Sequence, residues 1–139
     1  MRAPVLAFSH RRAFLATIGA AWAGYGVGII LDPRYGTARG LAHITRHVPL
    51  DALGWMWVGC GLVALVAALL GRCPRVQAAG FAAVAAPATL WGTAFTITWA
   101  TGDYPSAIGS VCGWLGFALG ILWVSGMDDP LPRHLRKKR

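Results

Sequence analysis

The chain has no glutamate and only five aspartates, and charged residues make up 13% of its 139 positions, against roughly a quarter in an ordinary soluble domain. So few charges cannot cover a water-facing surface around a single core. Its three cysteines, Cys60, Cys73 and Cys112, include no CxxC spacing. Neither a metal cluster nor a disulfide framework is expected, and an apolar-helix cysteine reads as a small packing residue. No GxSxG elbow and no close acid pair is present, so no catalytic residue and no cofactor is expected.

The charges that do occur are kept out of four apolar runs, at residues 14–31, 53–70, 78–100 and 107–127, none of which contains Asp, Glu, Lys, Arg or His. That excludes the usual proton-coupled transporter, which needs an ionisable group within the bilayer; four-span multidrug transporters, for example, use an embedded glutamate. At 1.5 Å per helical residue each run can cross about 30 Å of hydrocarbon. The first two, about 18 residues each, are at the short end of the spanning range. The expected fold is an all-α membrane protein. Its four transmembrane helices form a compact bundle (14–127), between a basic cytoplasmic N-terminus (1–13) and a basic cytoplasmic tail (128–139).

The thirteen Lys and Arg give a formal charge of +8, but their position speaks against nucleic acid, because they flank the apolar runs and form no basic aromatic surface. Counting alternate sides of the four spans puts ten bases on one side and three on the other. The positive-inside rule then places both termini and the turn at 71–77 in the cytoplasm of a bacterial cell, with 32–52 as the extracytoplasmic loop. Arg72, Arg75, Arg133, Arg136, Lys137, Lys138 and Arg139 are expected at anionic lipid headgroups. Trp55, Trp57 and Trp99 fall at the outer boundary and Trp123 near the inner one, while Trp22, Trp91 and Trp114 lie deeper, in lipid contact or packing. Arg11-Arg12-Ala13-Phe14-Leu15 resembles a twin-arginine signal and Ala21-Trp22-Ala23 a cleavage site. The apolar stretch before the cut is short, and an uncleaved first span is expected.

In the loop, Leu41, Ile44 and Val48 recur at helical spacing opposite Arg39, His43, Arg46 and His47, which predicts one short interfacial helix over 38–48. His43, His47 and Asp51 share the i, i+4, i+8 spacing of a metal trio, but Pro49 interrupts the helix and Arg46 repels a cation, so a solvated polar face is the reading. Gly24-Tyr25-Gly26-Val27-Gly28 lacks the preceding strand of a nucleotide loop. Ala20, Gly24 and Gly28 instead make a small-residue stripe for close helix approach. Gly109, Gly113, Gly116 and Gly120 form a second glycine face on the fourth span. The expected use is contact with the first stripe inside one chain, the other use being contact between copies. Thr89, Thr93 and Thr96, just after Pro87, are either a polar seam toward a pore or partner, or a kink with self-bonded hydroxyls, the latter being preferred.

Taken together, the small size, the several spans, the tight basic turn at Arg72 to Arg75 and the charged tail from Pro132 to Arg139 resemble the holin-like membrane proteins of bacteriophages of high-GC actinobacterial hosts. The resemblance implies assembly of many copies in the inner membrane and a timed lesion that releases or activates a wall hydrolase, and no residue role is carried over. The alternatives are a non-catalytic accessory protein bound to a larger membrane partner, and a small channel or transporter using the threonine seam.

Overall fold

Ser9 holds an extended conformation and its hydroxyl accepts the amide of Arg12 at 3.3 Å, so helix α1 (His10–Leu31) starts ahead of the apolar run it contains. In this computed structural model, which describes residues 9–70 and 73–127, there follow α2 (Tyr35–Gly40), α3 (Ala42–Thr45), α4 (Leu50–Leu70), α5 (Pro74–Ala100), a 3-10 turn (Pro105–Ala107) and α6 (Ile108–Gly126). Every described element is helical. Four helical segments, His10–Leu31, Leu50–Leu70, Pro74–Ala100 and Pro105–Gly126, are long and apolar enough to cross a membrane.

The first three of these begin earlier than the runs at 14, 53 and 78. An apolar run marks where side chains avoid water, whereas a helix can begin in a polar turn if its end is satisfied. Ser9 supplies a cap to α1, and α5 begins on Pro74, whose missing N–H would have had no helical partner.

The single helix expected over 38–48 is replaced by two short ones that break at Leu41, where φ is −98° and ψ is 7°. Burial explains the break. Leu41 is fully buried, and a Cβ on Gly40 would collide with the Phe95 ring. The Thr98 hydroxyl lies 3.3 Å from the Gly40 carbonyl and shares its one hydrogen between that oxygen and the Ala94 and Phe95 carbonyls of its own helix, so this segment packs onto the end of α5 rather than resting on one amphipathic face.

Each long helix packs mainly on its neighbours in sequence: α4 contacts both α1 and α5, and α6 lies on α5. The α1–α4 contact is built from glycines. A Cβ added at Gly26 would sit 2.5 Å from the Gly54 carbonyl oxygen, and one at Gly61 would sit 2.5 Å from that of Gly19. α4 turns Gly54, Gly61, Ala64, Ala67 and Ala68 inward and leaves Leu62, Val63, Val66, Leu69 and Leu70 outside. Apart from Leu53 and Trp57, small residues lie inside and large aliphatic ones outside, which inverts the arrangement of a water-soluble helix and matches helices that associate by close backbone approach in hydrocarbon.

Candidate functional site

Six aromatic rings from four helices meet at the middle of the structure. Trp57 of α4 has no exposed surface, and its ring lies 4.8 Å from Trp22, 4.7 Å from Tyr25, 5.0 Å from Trp91 and 5.4 Å from Trp114, centroid to centroid. Phe117 closes the group at 5.1 Å from Trp22. The Trp22 and Trp91 contacts to Trp57 are edge-to-face, the arrangement that the ring quadrupoles favour. Through these rings α1 meets α6, with which it otherwise makes little contact.

The indole N–H groups here differ in their partners. Trp22 donates to the Val84 carbonyl at 2.9 Å, in the turn before Pro87, and Trp91 donates to the Tyr25 hydroxyl at 3.2 Å. The buried Trp57 Nε1 has no hydrogen-bond partner among the described residues. The placement of Trp57 corrects its assignment as a boundary anchor. Residues two apart on a helix point about 200° away from each other, so Trp55 is exposed while Trp57 is turned to the centre. Trp99 and Trp123 are exposed, and Trp22, Trp91 and Trp114 belong to the packed interior.

At one end of the long helices a polar cluster joins the loop after α1 to the α5–α6 turn. His43 Nε2 and Asp103 Oδ2 are 3.0 Å apart, and the Thr101 hydroxyl donates to the same oxygen at 2.7 Å. Arg39 donates to the Asp103 backbone carbonyl at 3.1 Å and lies 5.1 Å above the Tyr104 ring. The Thr101 hydrogen bond, then that of His43, hold the Asp103 carboxyl below its ordinary range, with smaller help from the charges of His43 and Arg46. His43 thus faces Asp103, sixty residues away, while α3 ends before His47. Among the described residues no three metal-ligating side chains come together.

At the opposite end, two adjacent arginines have different environments. Arg12 donates from Nε to the Ala68 carbonyl at 2.7 Å and from Nη2 to that of Leu69 at 3.0 Å, closing the last turn of α4. The Arg11 guanidinium instead lies 5.1 Å above the Phe81 ring, and its buried Nε has no partner among the described residues.

The two glycine stripes do not meet within the chain. Among the described residues, nothing lies within 4 Å of a Cβ added at Gly24, Gly28, Gly109, Gly113, Gly116 or Gly120, and Ala20 is exposed. The expected intramolecular contact is corrected to Gly19 and Gly26 against Gly54 and Gly61. The reason is the register of Trp22, which shares its face with Leu15, Gly19, Gly26 and Ile29 and rotates the other stripe away. Gly24 and Gly28 line a cavity of about 240 Å³ with Tyr25, Asp32, Arg34 and Thr37.

Thr89 and Thr96 donate within their own helix, to Ala85 at 2.9 Å and Gly92 at 2.7 Å, and Thr93 is exposed. Sequence reading missed Thr98, which is fully buried between α5 and α2. Arg75 is exposed. Arg72, Arg133, Arg136, Lys137, Lys138 and Arg139 lie outside the described residues. Comparison of the chain with protein-family models, with curated proteins and with solved structures found no match.

Proposed function

We propose that the chain is a non-catalytic bacterial inner-membrane protein of four spans, both termini cytoplasmic, that acts by self-association in the bilayer in the manner of the holin-like proteins. The observation that carries this reading is the open glycine face of α6. Among the described residues nothing lies against Gly109, Gly113, Gly116 and Gly120, although each glycine disfavours a helix by about 1 kcal/mol in water. Close approach by a helix of another copy offsets that cost through backbone packing, the interaction that drives association in lipid.

The outward aliphatic surface of α4 and the uncharged spans support a bilayer environment. The distribution of basic residues supports the orientation. A pore along Thr89, Thr93 and Thr96 is less well supported, since two of these hydroxyls are spent within their own helix and the centre is filled by aromatic rings.

The test is induction in a bacterial host, with membrane potential followed by a voltage-sensitive dye and lysis followed by optical density. The expected result is an abrupt collapse of potential after a delay, and lysis when a wall hydrolase without an export signal is co-expressed. Neutralising Arg136, Lys137, Lys138 and Arg139 is expected to change the delay more than the final lesion. An abundant, inserted protein that leaves both traces flat sinks the holin-like reading. A stable complex with a different membrane protein, recovered by crosslinking at Gly113→Cys, then favours the accessory role.

A further inference from the structure

Arg11 lines a cavity of about 280 Å³ between α1, α5 and α6, whose other walls include Phe81, Ala82, Ala85, Ile121 and Leu122. Its guanidinium is partly buried in this apolar niche and lies over the Phe81 face, and among the described residues its buried Nε has no acceptor. Contact with a ring face offsets only part of the cost of withdrawing a cation from water. A guanidinium so placed is completed by an anion able to take two parallel N–H bonds, which is the geometry of a phosphate or carboxylate.

The depth of the cavity selects among anions. The adjacent Arg12 caps the last carbonyls of α4, so Arg11 lies level with the end of that helix, and Ser125 places a hydroxyl at the same level. Ala82, Ala85 and Ile121 continue from there along the helices toward the aromatic centre. A charged head beside an apolar wall that runs along the helices fits an amphiphile better than a free ion.

We propose that this cavity binds one anionic phospholipid, its phosphate on the Arg11 guanidinium and an acyl chain along Ala82, Ala85, Ile121 and Leu122. The proposal rests on the membrane reading above. It is independent of lysis or self-association. Arg75 is the comparison because it lies in the first turn of α5 at the same end of the long helices, outside this cavity, is exposed, and carries the same charge.

The experiment uses the full chain reconstituted in phosphatidylcholine vesicles, with flotation first establishing incorporation. Spin-labelled phosphatidylglycerol is then compared with spin-labelled phosphatidylcholine for the protein-immobilised fraction. The wild type is expected to prefer phosphatidylglycerol about fivefold, the equivalent of roughly 1 kcal/mol. Arg11→Gln is expected to remove most of the preference, Arg11→Lys to keep part of it, and Arg75→Gln to remove only the minor share that a surface headgroup contact contributes. Filling the apolar wall with Ala82→Leu is expected to reduce it with every charge retained.

Equal losses in Arg11→Gln and Arg75→Gln overturn the site in favour of general surface charge. Displacement of the lipid by excess inorganic phosphate assigns the guanidinium to a free anion and also overturns the proposal. A wild type without preference overturns it too, and in that case Asp128 and Asp129, which follow α6 in the sequence, are the carboxylates to test as Arg11 partners. Failure to incorporate into vesicles overturns the membrane reading itself and is distinguished by the flotation step.

Discussion

The indole N–H of Trp22 reaches across from α1 to the Val84 carbonyl of α5 at 2.9 Å, one turn before the proline that interrupts the hydrogen bonding of that helix. The contact joins the turn of α5 before Pro87 to the aromatic centre. It also fixes which face of α1 is turned inward, and so which glycines meet α4.

Trp22→Phe keeps most of the ring and removes an added donor from the Val84 carbonyl, which still faces the Ala88 N–H within α5. A loss of about 0.5–1.5 kcal/mol is expected, read as a lower thermal midpoint in detergent. Trp57→Phe is the comparison, because Trp57 Nε1 has no hydrogen bond to lose. It is expected to cost less than Trp22→Phe, whereas Trp57→Ala, which empties the centre, is expected to cost about 3–5 kcal/mol. A larger loss in Trp57→Phe than in Trp22→Phe refutes this assignment.

Arg12→Gln removes the guanidinium that closes α4 and is expected to lower stability by about 1–2 kcal/mol. Arg12→Lys keeps the charge near the helix end but not the two-pronged geometry, and is expected to fall between. Amide hydrogen exchange in the last turn of α4 should rise in the same order. If exchange there is unchanged while stability drops, Arg12 acts somewhere other than at Ala68 and Leu69.

Four long helices were legible because charge and hydropathy report directly on where a chain avoids water. Their packing faces were harder to read. In a chain this rich in Gly and Ala, the stripe Ala20, Gly24, Gly28 resembles the stripe Gly19, Gly26 that is actually buried, and only the large residue between them decides. Trp57 could have been placed from sequence by noting that Gly54, Gly61 and Ala64 recur around it at helical spacing while Trp55 falls opposite. The His43–Asp103 pair and the Thr98–Gly40 bond could not have been, since each joins residues about sixty apart with no local pattern. Arg11 and Arg12 are identical in type and adjacent; a rotation of about 100° between them sends one to a carbonyl cluster and the other to an apolar niche.

Acid should act on the polar cluster in a defined direction. Thr101, then His43, hold the Asp103 carboxyl below its ordinary value of 3.8, so the ionised form is favoured in the folded state. The stabilisation is therefore complete above that ordinary value and disappears as pH falls through the lower folded value. Thr101→Val removes the leading cause and is expected to move the Asp103 titration upward, as followed by carboxyl-carbon NMR. Asp103→Asn is expected to flatten the acid limb of a thermal-midpoint profile. An Asp103 titration that does not move in Thr101→Val rules out the hydroxyl as the main cause.

The glycines separate folding from assembly. Gly26→Ala and Gly61→Ala place a methyl group against backbone on the facing helix, where nothing flexible can give way. They are expected to destabilise the monomer by about 1–3 kcal/mol or more. Gly113→Ala and Gly116→Ala place theirs in open space, and replacing glycine within a helix favours the helix by up to about 1 kcal/mol. Their thermal midpoints are therefore expected to be equal to or above that of the wild type. If copies associate through α6, Gly113→Ile and Gly116→Ile keep a folded monomer and lose the oligomer, as read by crosslinking in membranes and by light scattering in detergent. Leu119→Ile, which changes shape without touching the glycine positions, is expected to retain it. Unfolding of Gly113→Ile at the monomer level would show that this face is packed inside the chain. An unchanged oligomer in both isoleucine variants would instead remove α6 as the contact between copies, and with it the main support for a self-assembling protein.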